Sequence, residues 1–154
     1  MIRFIEGDAT DPVGDDPAII AHICNNVGKW GAGFTRALDR RWPAPREDYL
    51  SWNYRIRHEG GHIRLVEVDE CLWVANMVAQ KGVKTFRADS KPLRLDWLDM
   101  CLHSLWMAAN KHEASVHMPR IGCGLAGGSW DEVEPAINRY LTDKGVNVFV
   151  YDLP

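Results

Sequence analysis

Two glycine-rich segments carry the clearest chemical signal, because each lies between a run of apolar residues and a helical pattern. The first contains Gly28, Gly31 and Gly33, and the second runs through residues 122–128. Glycine allows positive φ angles and lets backbone N–H groups approach a ligand closely. The start of a helix adds unsatisfied N–H donors and partial positive charge, which attract anions. Two such segments on neighbouring strands predict a site that holds a diphosphate from both sides.

The charge of the chain favours recognition by backbone amides over recognition by lysines. The formal net charge is −3, whereas nucleic-acid binders present a basic face that neutralises phosphates. We interpret Arg36, Arg40 and Arg41 as a solvated helix face, so nucleic acid is not an expected partner. Neither glycine segment contains the Gly-Lys-Ser/Thr ending of a P-loop. Taken singly, either segment could equally be a structural turn.

We interpret the cysteines and the pair His58 and His62 as structural residues. A thiol near a helix N-terminus ionises more readily, but no histidine is tied to Cys123, and we interpret it as a small residue packed under the loop. His58 and His62 have i,i+4 spacing, but the Gly-Gly pair between them argues against the helix that a zinc pair needs. None of the four cysteines forms a Cys-x-x-Cys pair. We therefore predict no metal site and no cofactor.

Short apolar runs alternate with longer amphipathic segments, which indicates an α/β fold. The runs are nearly continuous in apolar character, as in strands covered on both faces. The predicted strands are Ile2–Ile5, Ile19–Cys24, Ile63–Val68, Trp73–Val78, Val116–Met118 and Val146–Tyr151, and the predicted helices are Phe34–Arg41, Arg46–Ile56, Leu93–Lys111 and Trp130–Lys144. Ser129 and Glu132 have the spacing of a capping box, and Gly145 ends the last helix. Arg57–His62 is predicted as a turn.

The length and composition of the chain indicate its number of domains and its location. A chain of 154 residues fits one domain, since domains typically run to roughly 100–200 residues, and we predict that 1–154 forms it. No apolar run approaches the length of about 18 residues that a membrane span needs. Unpaired cysteines indicate a cytoplasmic protein, and we expect it to be a monomer. Trp42, Trp52, Trp73, Trp97 and Trp106 are expected in the core, and Trp30 is expected over the ligand.

Four stretches of the chain together resemble a known family. They are Gly7–Thr10, Ala21–Asn25 with Gly31–Gly33, Met118–Leu125 and Val148–Asp152. They are similar to the macro domain, in the compact branch that contains terminal ADP-ribose protein glycohydrolase and the Appr-1-p processing proteins. The likeness covers essentially the whole chain, and Pro-Arg-Ile-Gly-Cys-Gly is its most specific part.

The resemblance implies a three-layer α/β/α sandwich with a mixed central sheet and a site for ADP-ribose or an ADP-ribosylated protein. Asp8, next to Ala9, would accept a hydrogen bond from the adenine amino group; the alternative is that Asp8 only caps a turn. The two loops that would enclose the diphosphate and the distal ribose consist of Gly31, Ala32 and Gly33 on one side and Gly122, Cys123, Gly124, Leu125 and Ala126 on the other.

The resemblance also implies attack at the anomeric carbon of the distal ribose. In the glycohydrolase branch a lysine and an aspartate carry the reaction, and an ungapped comparison puts Gln80 and Ala126 at those two positions. The candidate catalytic residues of this chain are Asn25, Gln80, Lys81 and Asp89. Asn25 could position a ribose hydroxyl or a water, Gln80 could orient a water, Lys81 could point inward, and Asp89 could act as a base. Lys81 and Asp89 also fit a solvated loop. We prefer a water-activating route assisted by the substrate's own phosphate.

Three functions remain open from the sequence. The chain could release ADP-ribose from glutamate or aspartate esters of proteins, which is the hypothesis that we favour. It could instead be a reader that binds ADP-ribose without turnover. It could also hydrolyse small derivatives such as ADP-ribose-1″-phosphate or O-acetyl-ADP-ribose.

Overall fold

The computed structural model of the chain describes residues 1–55 and 59–154, and six strands and four helices lie along these residues. The strands are β1 (Arg3–Glu6), β2 (Ala18–Asn25), β3 (Ile63–Asp69), β4 (Leu72–Gln80), β5 (Ser115–Met118) and β6 (Val148–Asp152). The helices are α1 (Phe34–Asp39), α2 (Ala44–Arg55), α3 (Leu95–His112) and α4 (Trp130–Tyr140), and 3-10 turns occupy Gly124–Ala126 and Thr142–Lys144.

The strands form one sheet in the order β1-β6-β5-β2-β4-β3. Neighbouring strands are parallel, except that β3 and β4 are antiparallel. The predicted mixed sheet is therefore confirmed. Since β5, β2 and β4 lie side by side and run in the same direction, their carboxyl ends meet at one edge of the sheet. In open α/β sheets this is the edge where ligands bind.

Different helices cover the two faces of the sheet. Along β2, Ile19 and Ala21 belong to the core that includes α3 and α4, whereas Ile20 packs with Leu38 of α1. Side chains alternate between the two faces of a strand, so a strand covered on both sides must be apolar at nearly every position. The predicted three-layer α/β/α sandwich is confirmed, and its central strands are those with the most continuous apolar sequences.

The segment immediately before α3 is extended, although the sequence predicted that it would belong to the helix. Helix α3 begins at Leu95, whereas the prediction began it at Leu93. The backbone N–H of Leu93 donates to the carbonyl of Ala126 at 3.0 Å, and Leu93 forms a β-bridge with Gln80. These long-range contacts hold Leu93 out of the helix. They also join the loop after β4 to the second glycine-rich segment.

The ends of the other helices differ from the prediction by a few residues. The predicted capping box of α4 is present, and the Ser129 N–H donates to the Glu132 carboxylate at 3.2 Å. Helix α4 ends at Tyr140, and the chain passes through the second 3-10 turn to Gly145, which has a φ of 86°. Helix α1 ends at Asp39 and α2 starts at Ala44. The predicted end of α2 at Ile56 and the start of the predicted turn at 57 lie outside the described residues.

The five tryptophans expected in the core lie at its margin. Each is half-buried and packs against buried aliphatic side chains; they are Trp42, Trp52, Trp73, Trp97 and Trp106. An indole is large and carries an N–H group that needs a partner, so tryptophan is seldom buried completely. No helix in the described ranges is long and apolar enough to cross a bilayer.

Two histidines are buried in the sheet. His117 lies 2.7 Å from the Ser115 hydroxyl and 2.7 Å from the Tyr151 hydroxyl. The ring of His22 bonds through Nε2 to the side-chain oxygen of Asn76. Burial lowers the pKa of both histidines from about 6.5 to about 4. Both are therefore neutral in the folded protein at neutral pH.

We expect the free energy of unfolding to decrease as the pH falls from about 6.5 toward about 4, because the unfolded chain binds protons on His22 and His117 that the folded chain excludes. The expected slope is at most about 1.4 kcal/mol per pH unit for each histidine. This slope is measured by urea denaturation between about pH 7 and about pH 5, which lies above the range in which most carboxylates titrate. The exposed-site variant His103→Gln should keep the same slope. A stability that is constant over this range would contradict the prediction.

Candidate functional site

A cavity of about 710 Å³ opens at the carboxyl ends of β2, β4 and β5. Its lining comes from the loops that follow these three strands. From the first glycine-rich segment it includes Gly31, Ala32 and Gly33, and from the second it includes residues 122–126. Asn25 and Gln80 also line it. The structure therefore brings most of the predicted site residues together in one cavity.

The first glycine loop lines this cavity with residues whose backbone is in unusual conformations. Gly31 and Gly33 have φ angles of 127° and 65°, which L-residues with a side chain rarely adopt. Thr35 holds the loop, because its hydroxyl accepts from the Gly31 N–H at 3.2 Å and donates to the Ala32 carbonyl at 2.8 Å. Within the described residues, the N–H groups of Ala32 and Gly33 have no hydrogen-bond partner. They are available to an anion in the cavity.

The second glycine loop faces the first across the cavity. A methyl group at Gly33 would lie 3.8 Å from Cδ1 of Leu125, so the two loops approach each other closely. Gly122 packs on α4, where an added methyl group would lie 3.0 Å from Val133. The N–H groups of Gly122, Gly124 and Leu125 have no hydrogen-bond partner in the described part of the chain. Both loops thus line the same cavity and carry N–H groups without a partner among the described residues.

Asn25 organises the first loop from within. Its side-chain oxygen accepts from the N–H groups of Val27 and Lys29 at 3.0 and 3.1 Å, and its amide donates to the Lys29 carbonyl at 2.7 Å. The buried Tyr49 hydroxyl lies 2.6 Å from the Asn25 carbonyl oxygen, to which it donates, and accepts from the Gly28 N–H at 3.2 Å. Asn25 lines the cavity as predicted, but most of its hydrogen bonds go to the loop.

The loops after β2 and β4 are joined to each other. The Asn26 N–H donates to the Gln80 carbonyl at 3.0 Å, and the Asn26 side-chain oxygen accepts from the Gly82 N–H at 2.8 Å. The Gln80 side chain donates through Nε2 to the Gly82 carbonyl at 3.1 Å. Its Oε1 accepts no hydrogen bond from any described residue. Gln80 therefore offers an acceptor at the cavity wall.

Two of the predicted catalytic residues lie outside the cavity. Lys81 is exposed and does not line it. Asp89 is exposed and forms an ion pair with Arg87, with Nε and Oδ1 3.1 Å apart. The loop instead directs Val83 and Lys84 to the cavity. The spacing along a loop without periodicity does not indicate which side chain faces inward, so no local pattern predicts the position of Lys84 at the cavity.

Asp8 and Ala9 also do not line the cavity. Asp8 caps a turn, because its carboxylate accepts from both the N–H and the hydroxyl of Thr10 at 2.8 Å. Arg41 donates to the same Thr10 hydroxyl at 2.9 Å. Burial raises the pKa of Asp8, but the hydrogen bonds from Thr10 and the charge of Arg41 outweigh it and leave the pKa below its usual value. Asp8 is thus ionised at neutral pH.

The cavity lining is positive although the protein is acidic. Lys29, Lys84 and Arg120 line it, and no aspartate or glutamate does so among the described residues. Burial raises the pKa of the Cys123 thiol in spite of the nearby Arg120 charge, which disfavours Cys123 as a nucleophile. The described residues contain no group of three His, Cys, Asp or Glu side chains suited to a metal ion. His58, one of the pair considered for zinc, lies outside these residues.

The fold and the cavity together define a class of protein. It is an α/β/α sandwich in which two glycine loops line a cavity at the carboxyl edge of a mostly parallel sheet.

No protein-family model matches the chain. A Bacteroides thetaiotaomicron protein of unknown function has a similar structure, with 43% identity, a TM-score of 0.95 and coverage of 99% of this chain and 98% of that one. A macrodomain protein from Streptomyces coelicolor is 41% identical, with a TM-score of 0.86 and 99% coverage of both chains. The chain belongs to the macrodomain family.

Curated relatives fall into two groups. Chromodomain-helicase-DNA-binding protein 1-like of Danio rerio is 34% identical over 97% of this chain, which spans only 15% of that protein. ADP-ribose 1″-phosphate phosphatase of Lodderomyces elongisporus is 25% identical over 98% of this chain and 99% of that protein. The fold is also shared with Thermosipho africanus DarTG in complex with ADP-ribose, at 22% identity, a TM-score of 0.68 and coverage of 88% of this chain and 38% of that one.

We expect Tyr49→Phe to lower the free energy of unfolding by about 1–2 kcal/mol, because it leaves the buried Asn25 carbonyl and the Gly28 N–H without the hydroxyl that contacts both. Urea denaturation measures the change. Tyr140→Phe is the matched control, since the Tyr140 hydroxyl makes no hydrogen bond to a described residue. Equal stability of the two variants would mean that the Tyr49 hydroxyl does not hold the loop.

Proposed function

We propose that this macrodomain binds ADP-ribose and hydrolyses the esters that ADP-ribose forms with glutamate and aspartate side chains of proteins. The observation that carries the proposal is the set of unpartnered backbone N–H groups on both glycine loops. Oxyanions are the natural partners of such donors. A diphosphate has oxygens on both sides, so one diphosphate can accept from the two loops at once.

The size of the cavity and the known relatives support the same ligand. The volume of about 710 Å³ falls within the range of roughly 300–1,000 Å³ that small-molecule sites occupy. The Lodderomyces relative is named for a phosphorylated ADP-ribose. The Thermosipho protein shares the fold and is described in complex with ADP-ribose.

The lining favours water as the nucleophile. The oxygen of a water attacks C1″ of the distal ribose, and the bond from C1″ to the ester oxygen breaks with its electron pair leaving on the carboxylate. The proton of the water passes to a diphosphate oxygen or to bulk water, so the products are ADP-ribose, a free carboxylate and a proton. The unpaired Oε1 of Gln80 can accept a hydrogen bond from that water and orient it. The bound diphosphate stabilises the positive charge that develops at C1″.

Two other functions have some support. The cavity lining contains no carboxylate among the described residues, which favours a reader that binds ADP-ribose without turnover. The similarity to ADP-ribose 1″-phosphate phosphatases over nearly the whole chain favours hydrolysis of a small derivative. All three functions require the same diphosphate site and differ in what is attached to the distal ribose.

The diphosphate site is tested by Gly124→Glu, which we expect to reduce ADP-ribose binding below detection in calorimetry. The new carboxylate would repel the diphosphate at the centre of the second loop. Gly145→Glu is the matched control, because both glycines have positive φ and open space around the α-carbon. The two variants therefore carry similar backbone strain, and only Gly124 lies at the cavity. Unchanged affinity in Gly124→Glu would remove the proposed site.

Turnover is tested with a protein carrying ADP-ribose on glutamate. We expect the wild type to release free ADP-ribose, and Gln80→Ala to release it at least about tenfold more slowly with little change in ADP-ribose affinity, because a lost positioning contact affects the transition state more than binding. Binding without release by the wild type would identify a reader. Release from ADP-ribose-1″-phosphate alone would identify a processor of small derivatives.

A further inference from the structure

The side chain of Arg120 contacts three other side chains beside the second glycine loop. It donates through Nε and Nη2 to the two carboxylate oxygens of Asp152 at 2.8 and 2.9 Å. Its Cζ lies 4.9 Å from the ring centre of Phe4 and 5.0 Å from that of Trp130. A planar guanidinium that is paired through two donors and packed on aromatic rings has little freedom to turn. The side chain of Arg120 is therefore held in one orientation.

The partners of Arg120 belong to parts of the chain that are distant in sequence. Arg120 follows β5 and comes two residues before the glycine segment 122–128, whereas Trp130 begins α4 two residues after that segment ends. Asp152 is the last residue of β6, and Phe4 lies in β1. The side chain of Arg120 thus connects both ends of the second glycine loop with each other and with β1 and β6.

The hydrogen bonds of the loop backbone do not make this connection. The N–H of Gly128 donates to the Gly122 carbonyl at 2.8 Å, which closes the loop on itself. The N–H of Leu93 donates to the Ala126 carbonyl at 3.0 Å, which attaches the loop to the segment before α3. Neither bond reaches β1 or β6. On that side of the loop, the attachment comes from the side chain of Arg120.

The ring of Trp130 is held by packing. Its Nε1 is buried and makes no hydrogen bond to a described residue. The ring meets that of Phe4 edge to face, with the ring centres 6.2 Å apart and an angle of 72° between the planes. Because no hydrogen bond within the described chain orients the indole, its position depends on packing contacts, which include the guanidinium of Arg120.

The ion pair between Arg120 and Asp152 is too exposed to add much to the stability of the fold. The two side chains remain 37% and 49% exposed, and exposed ion pairs contribute little to the free energy of unfolding. The hydrogen bonds from Arg120 lower the pKa of the Asp152 carboxyl below its usual value, so the carboxylate is ionised at neutral pH. Bidentate pairing of this kind fixes a relative orientation. Its effect should therefore be on the position of the loop.

We propose that Arg120 is a positioning residue, which holds the second glycine loop at the distance from the first at which both loops can contact one diphosphate. The loop contains three N–H groups without a partner among the described residues, those of Gly122, Gly124 and Leu125. A displacement of about 1 Å would take such donors out of the range of a good hydrogen bond. The proposal rests on the proposed function, which assigns the diphosphate to the two loops.

The isosteric variant Asp152→Asn tests the positioning role. We expect its affinity for ADP-ribose, measured by calorimetry at about 0.5 M salt, to be about tenfold lower, because an amide has one oxygen and cannot accept both hydrogen bonds of Arg120. At this salt concentration, long-range repulsion between the carboxylate and the ligand is largely screened. If Arg120 instead bound the diphosphate directly, Asp152→Asn would release the guanidinium and raise the affinity. An unchanged or raised affinity would therefore overturn the proposal.

Substitutions of Arg120 test whether its forked geometry matters or only its charge. We expect Arg120→Met to bind ADP-ribose about tenfold more weakly. Arg120→Lys should remain at least about fivefold weaker than the wild type, because lysine keeps the charge but cannot donate two parallel hydrogen bonds to Asp152. Adding Asp152→Asn to Arg120→Met should cause no further loss, since both changes remove the same contact. Wild-type affinity in Arg120→Lys would contradict the positioning role.

Arg64→Met is the matched control. Arg64 also donates through Nε and Nη2 to one carboxylate, that of Asp48, at 3.1 and 2.8 Å, and it does not line the cavity. This variant should bind ADP-ribose as the wild type does, and urea denaturation should show that each variant is folded under the conditions of the titration. Equal losses of affinity in Arg64→Met and Asp152→Asn would overturn the proposal. A wild type that does not bind ADP-ribose would instead overturn the proposed function.

Discussion

A set of backbone N–H groups that the described chain leaves unpaired is the constraint on which the site depends. Buried backbone donors nearly always find a partner, because an unpaired one costs free energy. The N–H groups of Gly122, Gly124 and Leu125 and those of Ala32 and Gly33 avoid this cost because these residues line a cavity, where water or an anion can accept from them. The protein must therefore hold two glycine loops apart and prevent them from closing on each other.

Several interactions serve this separation. Tyr49 and Asn25 fix the first loop from the side of α2, with the tyrosine hydroxyl contacting Asn25 and Gly28. Gly122 rests on Val133 of α4, and the Ala126 carbonyl accepts from Leu93 of the segment before α3. Each loop is thus attached to a different helical layer, while the sheet fixes the distance between them. The three-layer architecture therefore holds the two glycine loops and their backbone N–H groups in place.

The electrostatics of the site follow from the same arrangement. An acidic protein binds an anion poorly through its overall field, so recognition must come from local donors. In the function that we propose, the backbone amides of the two glycine loops hold the diphosphate, and Lys29, Lys84 and Arg120 add positive charge to the cavity lining. Because no carboxylate of the described residues lines the cavity, the route that we propose relies on water positioning by Gln80 and on the substrate's own phosphate. In the ungapped comparison with the glycohydrolase branch, Gln80 replaces the lysine and could orient a water, whereas Ala126 replaces the aspartate and carries only a methyl group.

The strands, the helices and the glycine loops could be predicted from the sequence, because they follow from periodicity and from local backbone preferences. Apolar runs such as Ile19–Cys24 are typical of strands covered on both faces, and glycine is the residue type that favours positive φ. Which side chains of the loops enter the cavity could be seen only in the folded chain. Lys84 lines the cavity, whereas Lys81 and Asp89 do not. Most hydrogen bonds of the Asn25 side chain go to its own loop. Such directions are set by contacts between residues far apart in sequence, such as Asn26 with Gly82 and Leu93 with Ala126, and no local pattern encodes them.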